Sequence, residues 1–415
     1  MTAIERRGWF IVACLFLVLL LVFGGGYNTV PVFVPALLRG FPAWSHQRVS
    51  ILPSVLALSA GVSVLPVGWL LDRFEARVLM VIGCVTAGCG FLVASRADSF
   101  APLLIAYLML GCGIAAGTAL PAAYVIANWF EARRGLAMGI AISGSTIGGM
   151  VMTLVAGYAI RHWGWRAAYL TVALPMIAVA APLVAAAVRS RPPGRVKLNP
   201  RDAAAALDGY EVAEALRTRS FWMIAAANFC FAFSATGTAI YLVTHLEGVG
   251  YSQANAALAM SLIFGIAALG KILMGLLADR LMARRTLALD FLIQAGGIAL
   301  VFQVARPAGI AAFVLIYGIS IAAPLSLLPV LVAESMGLKR FGLIGGLEGL
   351  VQTFGAAVGP IVSGRIFDAT RSYTFAFELF ILINLIGALC AFSCEPFTPE
   401  PQAELRLARP ATAPS

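Results

Sequence analysis

Two ionisable residues stand where charge is expensive. Lys271 and Glu348 each lie inside a long apolar run. A charge at the centre of a bilayer costs at least ~2.5–3.5 kcal/mol on insertion scales, so such a side chain marks a substrate or proton path. Lys271 comes eight residues before Asp279, roughly 12 Å along a helix and near mid-membrane depth. Its ammonium can hold an anion, or give up its proton when buried; the plainer alternative is a structural ion pair. Glu348 sits about two turns inside its own run at similar depth, with Gln352 four residues on along the same helix face. It is the natural partner for Lys271. Its carboxyl either takes up a proton, if burial favours the neutral form, or only stabilises the packing around it.

The elements that must position these residues follow from composition. Of 415 residues, 61% are hydrophobic and 12% charged, against roughly 25% charged in a soluble domain. That excludes a water-soluble surface, and also disorder, which needs low hydrophobicity. Runs of about 20 apolar residues predict twelve membrane-spanning helices. They fall near 8–38, 49–71, 78–95, 101–129, 135–160, 166–188, 221–244, 254–278, 286–305, 308–333, 341–367 and 374–394. The runs are continuous, which excludes the alternating strands of a barrel. With the N-terminus inside, inside segments hold 20 of the 29 Lys and Arg residues and outside segments hold 8. This split predicts both termini in the cytoplasm. It also accounts for the net charge of +10 without nucleic acid. The seven cysteines lie in apolar stretches and read as small buried hydrophobes.

One sequence offset organises the chain. Gly68, Asp72, Arg73 and Arg77 recur 207 residues later as Gly275, Asp279, Arg280 and Arg284. The same offset relates Gly135, Gly139, Gly148 and Gly157 to Gly342, Gly346, Gly355 and Gly364. Residues 1–188 and 221–394 are therefore two copies of a six-helix unit. They are joined by a cytoplasmic linker, 189–220, and followed by a disordered tail, 395–415. Gly68 and Gly275 are expected to allow close helix approach. Asp72 and Asp279 can face a helix N-terminus, and the arginines can meet acids or lipid phosphates. Two parallel six-helix repeats with this motif at both inner loops resemble the major facilitator superfamily. The resemblance implies an all-α integral membrane fold of two pseudo-symmetric bundles, with a midplane site opened alternately to each side. It also implies that these motifs gate the change.

Trp129-Phe130-Glu131-Ala132-Arg133-Arg134-Gly135-Leu136-Ala137-Met138-Gly139 opens span 5. It is similar to a signature of the monocarboxylate transporter family. Gly8-Trp9 resembles the end of that family's other signature, though Ile4 stands where an acidic residue belongs. The family's span-8 arginine, which pairs with the substrate carboxylate, falls on Lys271. Its acidic neighbour falls on Ala267, and its span-1 lysine on Asn28. The resemblance also places Tyr27, Asn28, Tyr124, Asn228 and Tyr241 near substrate, since spans 1, 4, 7 and 10 line the cavity in the superfamily.

The expected function is proton-coupled transport of a small organic anion, a monocarboxylate such as lactate or pyruvate, across a bacterial inner membrane. Lys271 and Glu348 would carry the coupling. Anion exchange, or proton-driven export of drugs or amphiphiles, are the alternatives. No enzyme motif of the G-x-S-x-G, H-E-x-x-H or P-loop kind occurs. No cofactor or metal is called for. The lipid bilayer is the implied partner, and a monomer suffices.

Overall fold

A computed structural model describes residues 3–130, 134–190, 209–337 and 339–397, apart from the side chains of residues 3–5, 72, 127, 134–136, 279 and 342. Most of the expected linker (191–208) and the tail from 398 lie outside these. Among the described residues, eleven helices are long and apolar enough to cross a membrane. One of them, Ala137–Ala187, contains Gly164 at φ 80°, ψ 167°. Only glycine takes that backbone without strain. The chain folds back there, so the eleven helices make twelve crossings, as the sequence predicts.

The spans take their shape from glycine and proline. Span 1 is not one helix. Ala3–Val18 passes through a π-helical turn, Leu19–Gly24, and breaks before Val30–Gly40. The Gly24-Gly25-Gly26 run explains the break and its purpose. A Cβ on Gly24 would lie 2.4 Å from the backbone of Gly148, so glycine lets span 1 press against span 5. Span 4 is likewise Phe100–Gly117 and Ala119–Trp129, and span 10 is Pro307–Ser320 and Pro324–Met336. The unbroken spans are His46–Arg73 (span 2), Ala76–Ser95 (3), Arg219–Val249 (7), Gln253–Leu281 (8), Phe341–Thr370 (11) and Thr374–Phe392 (12). Ala283–Ala299 starts span 9.

Twelve crossings put both ends of the chain on one face, termed here the terminal face. At the opposite, far face the halves are clasped. The backbone amides of His46 and Gln47, opening span 2, donate to the Asp368 carboxylate of span 11 at 3.0 and 2.8 Å. Ser54 donates to the Ala357 carbonyl at 2.6 Å. Arg39 forms an ion pair with Glu247, joining spans 1 and 7. Toward the terminal face the halves part. The Ala119–Trp129 and Pro324–Met336 legs pack principally within their own halves. A Cβ at Gly139, Gly275 or Gly346 would meet nothing within 4 Å.

Candidate functional site

The parted halves enclose a cavity of about 480 Å³ on their shared axis. Tyr27 and Asn28 of span 1 line one side, and Phe231 and Thr236 of span 7 face them. Phe264 and Gln352 complete the wall from spans 8 and 11. The lining is mostly aliphatic and aromatic, with amides and hydroxyls as its polar points.

At the neighbouring seam, two consecutive residues of span 5 bind residues of spans 1 and 8. Asn28 Nδ2 donates to the Ser145 carbonyl at 2.9 Å. Lys271 Nζ donates to Thr146 Oγ1 at 2.9 Å, across the seam between halves. Gly149 makes this convergence possible. A Cβ there would press on Asn28 Nδ2 at 2.6 Å and on the Phe264 ring at 2.9 Å. Lys271 itself stands at the seam rather than on the cavity wall. Among the described residues it has no ion-pair partner.

Glu348 is therefore not the partner of Lys271. It is 2% exposed and accepts from Asn228 Nδ2 at 3.1 Å. Both line a second cavity, of about 300 Å³, within the C-terminal half. Asn228 thus belongs with Glu348, not with the central cavity. Tyr241 is also displaced from its expected place. It is buried and donates to the His46 carbonyl at 2.7 Å, in the far-face clasp. Its position fits the membrane depth of the clasp, which a helical register cannot reveal without the partner span. Tyr124 is half-buried in the second leg of span 4 and lines neither cavity. Tyr27 lines the central cavity, stacked on Phe23 with centroids 5.4 Å apart.

The repeated motifs lie at the terminal face. Arg73 stacks over Trp69, 3.8 Å from the ring centroid, and Arg77 pairs with Glu75 at 3.6 Å. Arg280 is exposed, and Arg284 donates to the Cys394 carbonyl at 3.2 Å. Glu334 of span 10, which sequence reading passed over, accepts from the Ala283 amide at 3.2 Å and caps span 9. Gly68 and Gly275 do not sit at close helix contacts here. A Cβ at Gly68 would meet only Leu120, at 3.9 Å, and one at Gly275 nothing within 4 Å. The reason is the parting of the halves on this face. Arg133 lies outside the described residues. Arg134 and Gly135 stand in the first turn of span 5, and the side chains of Asp72, Asp279 and Arg134 are not described.

Sequence reading missed Thr146, Arg39, Glu247 and Asp368. Each matters only through a residue more than a hundred positions away, and no local pattern carries that. It also missed that its two signature segments touch. Trp9 meets the Phe130 ring edge-on at 5.1 Å, and Gly8 leaves room for it. Among the described residues, no three His, Cys, Asp or Glu side chains gather as a metal site.

Comparison with known proteins gives one consistent result. The family model described as Major Facilitator Superfamily matches residues 15–347 and 225–414. The uncharacterized MFS-type transporter YcxA of Bacillus subtilis (strain 168) is 23% identical, over 96% of this chain and 97% of its own. Monocarboxylate transporter 3 of Rattus norvegicus is 26% identical, covering 96% and 83%. Monocarboxylate transporter 13 of Bos taurus is 29% identical, covering 92% and 88%. Among solved structures, a bacterial homolog of the human lysosomal transporter Spinster, inward-facing and unoccupied, superposes with a TM-score of 0.77 at 19% identity, covering 93% and 96%. Its inward-facing, occupied form gives 0.73, covering 92% and 96%. Repeat, twelve crossings, clasped halves and family match agree, and the chain belongs to the Major Facilitator Superfamily of membrane transporters.

Proposed function

We propose that this transporter moves a monocarboxylate in symport with protons, by alternating access. The observation that carries the reading is the Lys271 contact. An ammonium at membrane depth bonded to a neutral hydroxyl has no carboxylate to neutralise it and can pair with an incoming anion. An acid partner one turn away would cancel that charge; the position is Ala267 instead. The relatives named monocarboxylate transporters, 26% and 29% identical over nearly the whole chain, support the substrate class. The central cavity supplies an apolar body site, and Asn28 with Thr146 supplies polar neighbours for the carboxylate. Its volume of about 480 Å³ lies within the usual ~300–1,000 Å³ range of small-molecule pockets. It accommodates acids larger than lactate or pyruvate.

In this reading the terminal face is cytoplasmic, as the distribution of basic residues requires. The structure then represents the inward-open state of a protein in a cell membrane. Glu348 takes the proton, which lets the loaded carrier cross its cycle without net charge movement against the Lys271–carboxylate pair.

The test is uptake into proteoliposomes of labelled lactate, pyruvate and phenylpyruvate, with and without an inward proton gradient. Gradient-stimulated uptake lost in Lys271→Ala is the expected result. Uptake that ignores the gradient in the intact protein removes the coupling claim. The mostly apolar lining favours a second reading, proton-driven export of amphiphiles. Uptake of no carboxylate, with Lys271→Ala fully active on a hydrophobic drug panel, would replace the first reading with the second.

A further inference from the structure

Glu348 lines a cavity of its own. This side cavity lies between spans 7, 10 and 11, walled by Asn228, Leu328, Pro329, Phe341, Gly345 and Glu348 among others. It meets the central cavity along a shared edge, Leu325 and Gln352, which line both. Phe341 is the first residue of span 11. The cavity therefore runs from Glu348 about two turns, roughly 10 Å, to the terminal end of that helix.

Its polar groups are arranged for water. Glu348 Oε2 accepts from Asn228, while Oε1 is buried and has no partner among the described residues. Pro329 has no N–H, so the carbonyl of Leu325, four residues before, lacks its helical donor. Glu348, Asn228 and Leu325 all line this cavity, whose volume of about 300 Å³ has room for several waters. The electrostatic neighbours of Glu348 are few. From span 7 it meets Asn228, and the Cys394 thiol lies within charge–charge range beyond span 12. Arg284 and Arg219 also act on that thiol. Span 10 presents no ionisable side chain to the cavity.

We propose that the side cavity is a separate water path by which protons reach Glu348 from the terminal face while substrate occupies the central cavity. Gln352, on both walls and one turn from Glu348, conveys the carboxyl's protonation to the substrate site. The inference rests on the proton-symport reading. The step is a proton transfer from a hydrated proton to the Glu348 carboxylate, leaving a neutral carboxylic acid and water.

Glycine makes the path testable. A Cβ at Gly345 or Gly349 would meet nothing within 4 Å, and both residues line the side cavity. Gly345→Leu would project a side chain from that open position at the cavity wall. Gly296→Leu is the control, since Gly296 of span 9 is equally open, lines neither cavity and lies in a span that packs principally within its own half. Full-length protein in proteoliposomes is assayed with labelled pyruvate and phenylpyruvate, for gradient-driven accumulation and for exchange without a gradient. Gly345→Leu should lose accumulation about tenfold and keep exchange within about twofold, a split that separates coupling from substrate binding. Glu348→Gln should show the same split, and Gly296→Leu neither half of it. Equal loss of accumulation and exchange in Gly345→Leu would make the side cavity part of the substrate path and overturn the proposal. Unchanged accumulation would overturn it as well. If the intact protein ignores the gradient, the symport reading itself fails, and the water path fails with it.

Discussion

The two halves share a plan and differ in chemistry. Among the described residues, the fully buried carboxylates, Asp290 and Glu348, and the membrane lysine, Lys271, all belong to the second half. Their counterparts at the 207-residue offset are Gly83, Ala141 and Val64. Where the second half has a charge, the first half packs. Gly83 lets span 3 lie on the backbone of Gly117, 2.3 Å from where a Cβ would sit. The lesson is a division of labour. At these three positions the first half carries small or apolar residues, and the second half carries the groups that can hold or move charge.

The sharpest way to break this comparison is to move the charge. Lys271→Val should reduce carboxylate uptake by about 100-fold or more, the scale of losing a substrate contact that one buried charge supplies. Val64 lines the central cavity, and Thr353 stands at the position equivalent to Thr146. Adding Val64→Lys should therefore restore uptake by about tenfold, because a mirrored ammonium and threonine would face the same cavity. No restoration would mean that Asn28, Ser145 and the span 5 seam are required, and that a midplane cation alone is insufficient.

A second comparison sets glycines against each other. A Cβ on Gly111 would fall 1.9 Å from Ser59 Oγ and 2.4 Å from the Leu56 carbonyl. Gly111→Ala should cost ~1–3 kcal/mol through overpacking, read as a lower Tm in detergent. Gly275→Ala meets open space and should change stability by less than ~0.5 kcal/mol. Its transport should nevertheless fall, if spans come together at Gly275 when the terminal face closes. Unchanged transport in Gly275→Ala would show that this glycine stays open through the whole cycle.

What could be read in advance divides along the same line. Apolar runs, glycine spacing and basic-residue asymmetry are local or periodic, so twelve crossings and the repeat were legible. Lys271 was legible because a charge in an apolar run is costly wherever it ends up. Its partner was not, since Thr146 is one of many hydroxyls and the 2.9 Å bond exists only once spans 5 and 8 meet. Glu348 was placed beside Lys271 on depth alone. Depth fixes distance along a helix but not the side the residue faces, and Glu348 faces Asn228. Tyr241 was placed by the resemblance of its span to a cavity-lining helix, and it lies instead at the depth of the far-face clasp.

Asp290 tests whether every buried charge of the second half is functional. It is 0% exposed, and neither carboxylate oxygen has a partner among the described residues. Gln294, one turn on, is in the same condition. Neither residue lines either cavity. An unsatisfied buried polar group costs ~1–3 kcal/mol, so Asp290→Val should raise the Tm and leave uptake within about twofold. A stable but inactive Asp290→Val protein would add span 9 to the transport machinery.

The smallest expected effect concerns the link between halves. Glu211 caps the short helix Val212–Ala215 and pairs with Lys339 at 3.3 Å and Arg340 at 2.9 Å, beside the start of span 11. The Arg340 hydrogen bond, then the other contacts with Arg340 and Lys339, hold its carboxyl below the ordinary carboxylate range. A carboxyl with a lowered pKa stabilises the folded state above its ordinary pKa, and that contribution is lost as pH falls through the lowered value. The group is solvent-exposed, so salt screens the attraction and the gain is small. Glu211→Gln should therefore leave Tm and uptake nearly unchanged at neutral pH and high salt. At low salt it should raise protease cleavage of the linker, and that difference from the unmodified protein should disappear on acidification. A difference that persists at acid pH would mean that the Tyr210 amide bond to the Met336 carbonyl, at 3.0 Å, depends on the Glu211 side chain for reasons other than charge.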